Sequence, residues 1–201
     1  MTARRAPLTA FLIALFCGAG TALASEEPLP DFAECMAAEI ARYEQALQII
    51  APSEAQNAGF PLAEVGGVEF CGTVGIVICD RSENPLGCQR ALAVEQDILR
   101  ARVLDQLPAP IQDDATDSFA QQLYGTTWAL AHGMSAGQDC AGYQPQLEMW
   151  CRAREANGRL RAAVMAWRVA RHLGTVPPAA EAGWIADARP QRPRLRPGEG
   201  E

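Results

Sequence analysis

The sequence predicts an all-α fold, a disulfide-stapled bundle of about four helices, on three observations. First, apolar side chains recur three and four residues apart through most of the chain, which is the spacing of one helix face. Second, an export-type leader is followed by six cysteines, and an even number in an exported chain favours paired thiols. Third, within the predicted domain the main stretch broken by prolines and glycines is residues 52–88, which is predicted to be irregular.

Residues 1–24 are predicted to be a cleaved signal peptide. Arg4 and Arg5 form its basic start, an apolar run covers residues 8–17, and Ala-Leu-Ala at residues 22–24 is a small-x-small cleavage pattern. The apolar run is too short to cross a bilayer comfortably. We therefore expect a periplasmic or secreted protein whose mature form does not span the membrane.

The first helix is predicted to begin near Asp31, because Glu34 follows three residues later as in a capping box, and to end before Pro52. The irregular segment that follows, residues 52–88, contains the run VEFCGTVGIVIC at residues 68–79. This run is apolar, β-branched and broken by glycines. It fits either a short strand or a buried helical turn, because periodicity does not separate the two in a short apolar run.

Periodicity predicts three further helices, at about residues 89–107, at about residues 113–134 and from about residue 150 to the region of Gly174. The third has an apolar face that comprises Phe119, Leu123, Thr126 or Thr127, Leu130 and Met134. The fourth has a seam of residues three and four apart that is typical of packing on other helices. The seam comprises Trp150, Ala153, Asn157, Leu160, Val164 and Trp167.

Charge divides the chain into an acidic body and a basic end. Residues 25–150 contain 5 arginines and 19 acidic residues, whereas residues 151–201 contain 10 arginines and 5 acidic residues. The basic fourth helix is therefore predicted to pack among the acidic helices. An acidic body argues against nucleic acid as a partner and suits either a cationic partner or solubility alone.

The predicted domain covers residues 25–173, and residues 174–201 are predicted to be a flexible tail. Five prolines and four arginines fall in this tail. It has little apolar material apart from Trp184, Ile185 and Leu195, which is too little to predict a packed core.

The spacing of the cysteines favours structural disulfides. There is no C-x-x-C pair, so neither a thioredoxin-like redox site nor a zinc cluster is supported. Six cysteines can pair in several ways. Closure of short loops favours Cys140–Cys151 and Cys79–Cys88, which leaves Cys35–Cys71 to join the first helix to the apolar run. The cysteines themselves are expected to be inert.

Sequence motifs for catalysis or cofactor binding are absent. There is no G-x-S-x-G elbow and no P-loop. The two histidines, His132 and His172, fall near the ends of the predicted third and fourth helices, where a positive charge is favourable. We therefore expect no catalytic residue, no metal and no cofactor, and we interpret the protein as a non-enzyme.

Over roughly residues 79–173 the sequence resembles the LprI-like family of small exported helical proteins. The resemblance rests on the helical segments ALAVEQDILRARVL and LYGTTWALAHG and on the stretch with Cys140, Cys151 and CRAREANGRL. The family pattern runs from an aromatic helix through a cysteine and a glycine-containing loop to a second cysteine and an R-x-x-x-L helix. The namesake proteins are lysozyme inhibitors, so the resemblance implies an exported, disulfide-stapled helical module and, through those namesakes, inhibition of lysozyme.

The expected function is that of a non-catalytic binding module of the cell envelope. Its expected partner is a protein, a cationic glycan-cleaving enzyme such as lysozyme. We expect contact at the exposed tip of the 140–151 loop, at Tyr143, Gln144 and Gln146. Two alternatives stay open: an envelope scaffold or assembly factor that uses the arginine-proline tail, and a cell-wall hydrolase.

Overall fold

The computed structural model describes residues 29–49, 64–110, 118–133 and 138–186, and confirms the all-α class within them. The predicted leader, residues 1–24, and residues 187–201 lie outside the described part. The helices are α1 Phe32–Ile49, α2 Gly66–Asp80, α3 Pro85–Leu104, α4 Phe119–Gly133 and α5 Pro145–His172. The longest of them, α5, is the common packing partner of α2, α3 and α4.

The helix α2 lies within residues 52–88, which are predicted to be irregular and of which 52–63 lie outside the described part. Its 15 residues bury Val68, Cys71, Gly75 and Cys79, which recur three and four apart. The buried helical turn is therefore the correct alternative, extended to a full helix, and the short strand is wrong. Gly72 allows α2 to approach α5 closely, because a Cβ at this position would overlap the side-chain amide of Asn157 on α5.

Capping residues and prolines that the sequence contains mark the starts of three helices. The backbone N–H of Glu34 donates to Asp31 Oδ1 at 2.7 Å, so Asp31 caps α1. Asn84 Oδ1 accepts from Gly87 N at 3.1 Å at the start of α3, and a proline occupies the first turn of both α3 and α5. As a result α3 and α5 each begin about one turn earlier than periodicity predicted.

The buried stripe of α5 is the centre of the core. Ala153, Leu160, Val164 and Trp167 are fully buried and Asn157 is nearly so, as the seam predicted. The Trp167 ring lies 5.8 Å from that of Tyr43 on α1 and 5.0 Å from that of Trp184. The core therefore joins α5 to α1 and to the chain that follows α5.

The apolar face predicted for the third helix is correct only in part, because Thr127 is buried and Leu123 packs against the core. Residues 113–117 and Met134 of the predicted helix lie outside the described part. Phe119 and Leu130 are exposed on α4, whereas Tyr124, Thr127 and Ala131 are buried. The Tyr124 hydroxyl donates to the carbonyl of Pro108 at 2.6 Å, and burial raises its pKa to about 12. The face toward α5 thus uses smaller and more polar residues than the pattern of large apolar residues suggested.

Residues 174–186 belong to the folded domain, so the prediction of a flexible tail from residue 174 is wrong for this part. Val176, Ala179 and Trp184 are buried, and Trp184 packs edge-on against Trp167. The chain turns back at Gly174, where φ is 71°, a value that favours glycine. One large apolar residue after the reversal is enough to anchor the segment.

Arginines of α5 pair with acids of the other helices, which confirms that the basic helix packs among acidic ones. The pairs reach α3, α2 and α1 in turn, so four arginines of α5 are matched by acids of the other helices. They are Arg159–Asp97 at 3.0 Å, Arg161–Glu69 at 2.9 Å, Arg168–Glu39 at 2.6 Å and Arg171–Glu44 at 3.1 Å.

The pair of Arg168 and Glu39 is the most buried of these. Their side chains are 5% and 9% exposed, and the guanidinium lies 4.5 Å from the centre of the Tyr43 ring. Arg168 also donates to the carbonyl of Glu64, just before α2. The Tyr43 hydroxyl donates to the Arg168 carbonyl at 2.6 Å. One residue of α5 thereby holds α1 and the start of α2.

Three disulfides are present: the two pairs that the closure of short loops favours, and the Cys35–Cys71 pair that these leave. The Sγ atoms lie 2.03 Å apart in Cys35–Cys71, 2.02 Å in Cys79–Cys88 and 1.99 Å in Cys140–Cys151. The first ties α1 to α2, the second ties α2 to α3, and the third ties the loop before α5 to α5 itself. The covalent links thus follow the chain from helix to helix.

Replacing Arg168 by alanine is expected to lower the free energy of unfolding by about 3 kcal/mol, because Glu39 loses its buried partner. The double variant Glu39→Leu with Arg168→Met should lose less, since it leaves no buried charge unpaired. Urea unfolding followed by circular dichroism measures both. Arg152→Ala is the control: it breaks an exposed pair with Glu148 and should cost less than about 1 kcal/mol. Equal losses for the two alanine variants would contradict the assignment.

Gly72→Ala and Gly125→Ala form a matched pair of helix substitutions. A Cβ at Gly125 meets nothing within 4 Å, whereas one at Gly72 overlaps Asn157. We expect Gly125→Ala to raise the free energy of unfolding by about 0.5 to 1 kcal/mol through helix propensity. Gly72→Ala should lower it by about 1 to 3 kcal/mol through overpacking. Urea unfolding measures both, and a stabilising Gly72→Ala would disprove the close contact of α2 with α5.

Candidate functional site

An exposed face at the start of α5 brings together Tyr143, Leu147, Trp150 and Arg154, which we call the aromatic patch. These residues are three or four apart, so they lie along one side of the helix and the turn before it. Tyr143 is 46% exposed, Leu147 54% and Trp150 38%. Together with Gln138, Cys151 and Glu155 they line a shallow pocket of about 160 Å³.

The loop that carries Tyr143 is held against α5 by several independent constraints. The Cys140–Cys151 disulfide joins the loop to the second turn of α5. Gly142 has a φ of 86°, which allows the reversal between them. The backbone N–H of Gln138 donates to Glu155 Oε2 at 3.0 Å, and that of Ala141 donates to Asp139 Oδ1 at 2.9 Å. The patch is therefore presented in a preorganised form.

The side chains of the aromatic patch also contact one another and their neighbours. The Arg154 guanidinium lies 5.3 Å from the centre of the Trp150 ring, within the range of a cation–π interaction. Gln138 Nε2 donates to the Tyr143 hydroxyl at 3.1 Å. Exposed tryptophan, tyrosine and arginine held in fixed positions are the residues that dominate the energy of protein–protein contacts.

Only one of the three predicted contact residues lies in the aromatic patch. Tyr143 lies in the aromatic patch, whereas Gln144 and Gln146 are exposed beside it and do not line its pocket. Sequence reasoning missed Leu147 and Arg154, and it assigned Trp150 to the buried seam. The overlooked signal is Pro145, which is typical of a first helical turn and moves the helix start ahead of Trp150.

A charged cleft of about 560 Å³ adjoins the aromatic patch. Gln138 and Glu155 line both the patch pocket and this cleft. In the cleft the Arg159 guanidinium donates three hydrogen bonds to the Asp97 carboxylate, at 3.0, 3.2 and 3.4 Å. Because this arginine is already paired, the cleft has less free charge than its composition suggests.

The two histidines lie in the last turns of α4 and α5, as predicted. The His132 ring stacks on Trp128 at 3.9 Å, and its Nδ1 lies 2.9 Å from the Trp128 carbonyl. Burial lowers the pKa of His172. Among residues 29–49, 64–110, 118–133 and 138–186, no group of three or more His, Cys, Asp or Glu side chains is arranged to hold a metal.

None of the described helices has the length and apolar character that crossing a membrane requires. Comparisons with protein-family models, with curated proteins and with solved structures found no match to this chain. The resemblance to the LprI-like family therefore stays a prediction.

Replacing both Cys140 and Cys151 by serine is expected to lower the free energy of unfolding by about 3 kcal/mol and to speed amide exchange at residues 138–147. The double serine variant of Cys79 and Cys88 is the control, since it opens a loop of similar length elsewhere. It should lose similar stability without faster exchange at residues 138–147. Hydrogen exchange by mass spectrometry measures this, and unchanged exchange in the first variant would contradict the role of the disulfide in holding the patch.

Proposed function

We propose that this protein is an exported binding module of the cell envelope, which contacts a protein partner through the aromatic patch. One observation carries the proposal: a tryptophan, a tyrosine, a leucine and an arginine are displayed together on one rigid surface. Large side chains that are already ordered lose little conformational entropy on binding. The patch can therefore contribute affinity out of proportion to its area.

Charge supports a cationic partner. Most arginines of α5 are matched by internal ion pairs, so they do not offset the remaining acids of the surface. Asp31, Glu34, Glu83 and Glu95 are exposed on the described acidic helices and their connections. Such a surface steers a basic protein toward it and makes association sensitive to salt. A cationic glycan-cleaving enzyme such as lysozyme fits this chemistry and the family resemblance.

Purified protein in molar excess is expected to slow the lysis of bacterial cell walls by lysozyme, more strongly at low salt than at high salt. The double variant Leu147→Ser with Trp150→Ala should inhibit at least about tenfold less, because it removes two anchors of the contact. Turbidity clearance measures both. Phe119→Ala is the control: it removes an exposed aromatic ring, 75% exposed on α4, and should inhibit like the wild type.

Two results would contradict the proposal in different ways. Unchanged lysis at low salt would exclude lysozyme as the partner. Inhibition that survives Leu147→Ser with Trp150→Ala but is lost in Phe119→Ala would place the contact on α4 instead of on the aromatic patch.

A further inference from the structure

A groove of about 1340 Å³ runs between α1 and α3, and the charged cleft separates it from the aromatic patch. Both helices pack on α2, and the space between them is not filled by a helix of the described chain. Its lining includes the buried side chains of Phe32, Met36 and Trp184. We call it the α1–α3 groove.

The α3 wall of the groove is an unpartnered apolar face. Val94 and Ile98 are one turn apart and about half exposed, and Leu99 beside them is partly buried. The lining residues of α3 extend from Gly87 to Arg102. At about 1.5 Å per residue this wall is about 22 Å long, which matches about four turns of a docked helix.

The middle of the groove is acidic. Asp31 at the start of α1 and Glu95 on α3 both line it. The pKa of Glu95 is raised, mainly by burial and to a smaller extent by the negative charge of Asp31. Glu95 has no ion-pair partner within the described residues. Arg90 and Arg102 also line the groove, one on each side of Glu95 along α3. Measured along the helix axis, they lie roughly 7 and 10 Å from it. A cation placed between the two carboxylates would lower their mutual repulsion.

We propose that the α1–α3 groove is a docking site for a cationic amphipathic helix of a partner protein. Such a helix would lay its apolar side on Val94 and Ile98 and bring an arginine or lysine between Asp31 and Glu95. An open trough between two helices accepts a third helix by packing of ridges into grooves. The unpaired carboxylates disfavour fatty acids and anionic lipids, whose head groups carry the same charge. This inference does not depend on the aromatic patch.

The test uses the full chain and a fluorescein-labelled peptide of about 15 residues with leucine at positions i, i+3, i+4 and i+7 and arginine elsewhere. Fluorescence anisotropy is expected to show binding of this peptide and at least tenfold weaker binding of the same peptide with glutamate in place of arginine. The double variant Asp31→Asn with Glu95→Gln should weaken binding roughly tenfold. Asparagine keeps the helix cap, so this variant should fold normally.

Two further variants locate the site. Val94→Ser with Ile98→Ser removes the apolar wall and should abolish binding, whereas Leu147→Ser with Trp150→Ala should leave it unchanged. Equal binding of the two peptides, no binding of the arginine peptide at low salt, or loss of binding only in the Leu147 and Trp150 variant would overturn the proposal.

Other occupants give distinct results. Binding of vesicles that contain anionic lipid, lost in Val94→Ser with Ile98→Ser, would assign the groove to a membrane surface and overturn the helix proposal. A dimer in light scattering that the same variant dissociates would assign the groove to a second copy of the chain. Loss of lysozyme inhibition in the patch variant with retained peptide binding would separate this site from the proposed function.

Discussion

The fold depends above all on the burial of Arg168. Its guanidinium lies in the interior, 2.6 Å from Glu39 and against the Tyr43 ring, and it also bonds to the chain just before α2. A buried charge must have its hydrogen bonds satisfied, so α1, α2 and α5 can meet in few arrangements. Glu39 in turn fills the space above Gly67, where any Cβ would overlap its carboxylate. The position of α1 follows from this pair, and with it one wall of the α1–α3 groove.

The two candidate binding surfaces are connected by the charged cleft. Gln138 and Glu155 line both the patch pocket and the cleft, and Arg90 and Val94 line both the cleft and the groove. A continuous face therefore runs from the start of α5 across α3 to α1. The aromatic patch lies at one end of this face, and the acidic and apolar α1–α3 groove lies at the other. One elongated partner or two separate partners can therefore bind to it.

Several features could be predicted because they depend on neighbouring residues or on one dominant pattern. The stripe of α5 is long enough for its period to be unambiguous, and loop closure favours the cysteine pairs that are nearby in the chain. The stretch that became α2 could not be assigned, because its β-branched residues and glycines suit a strand as well as a tightly packed helix. Part of the α4 face was predicted wrongly, because Tyr124 and Ala131 are buried whereas the apolar Phe119 and Leu130 remain exposed.

The sequence by itself determined the helical class and the matching of a basic helix with acidic ones, and it favoured the two short-range cysteine pairs, because each rests on local spacing or on bulk charge. Only the tertiary structure decided which apolar residues remain outside. Trp150 remains 38% exposed on the side of α5 that carries the aromatic patch, and Trp184 is buried because the chain reverses after Gly174 onto Trp167. Both outcomes depend on contacts between distant parts of the chain. Neither the spacing of apolar residues nor the hydropathy of a side chain specifies which distant residue it packs against.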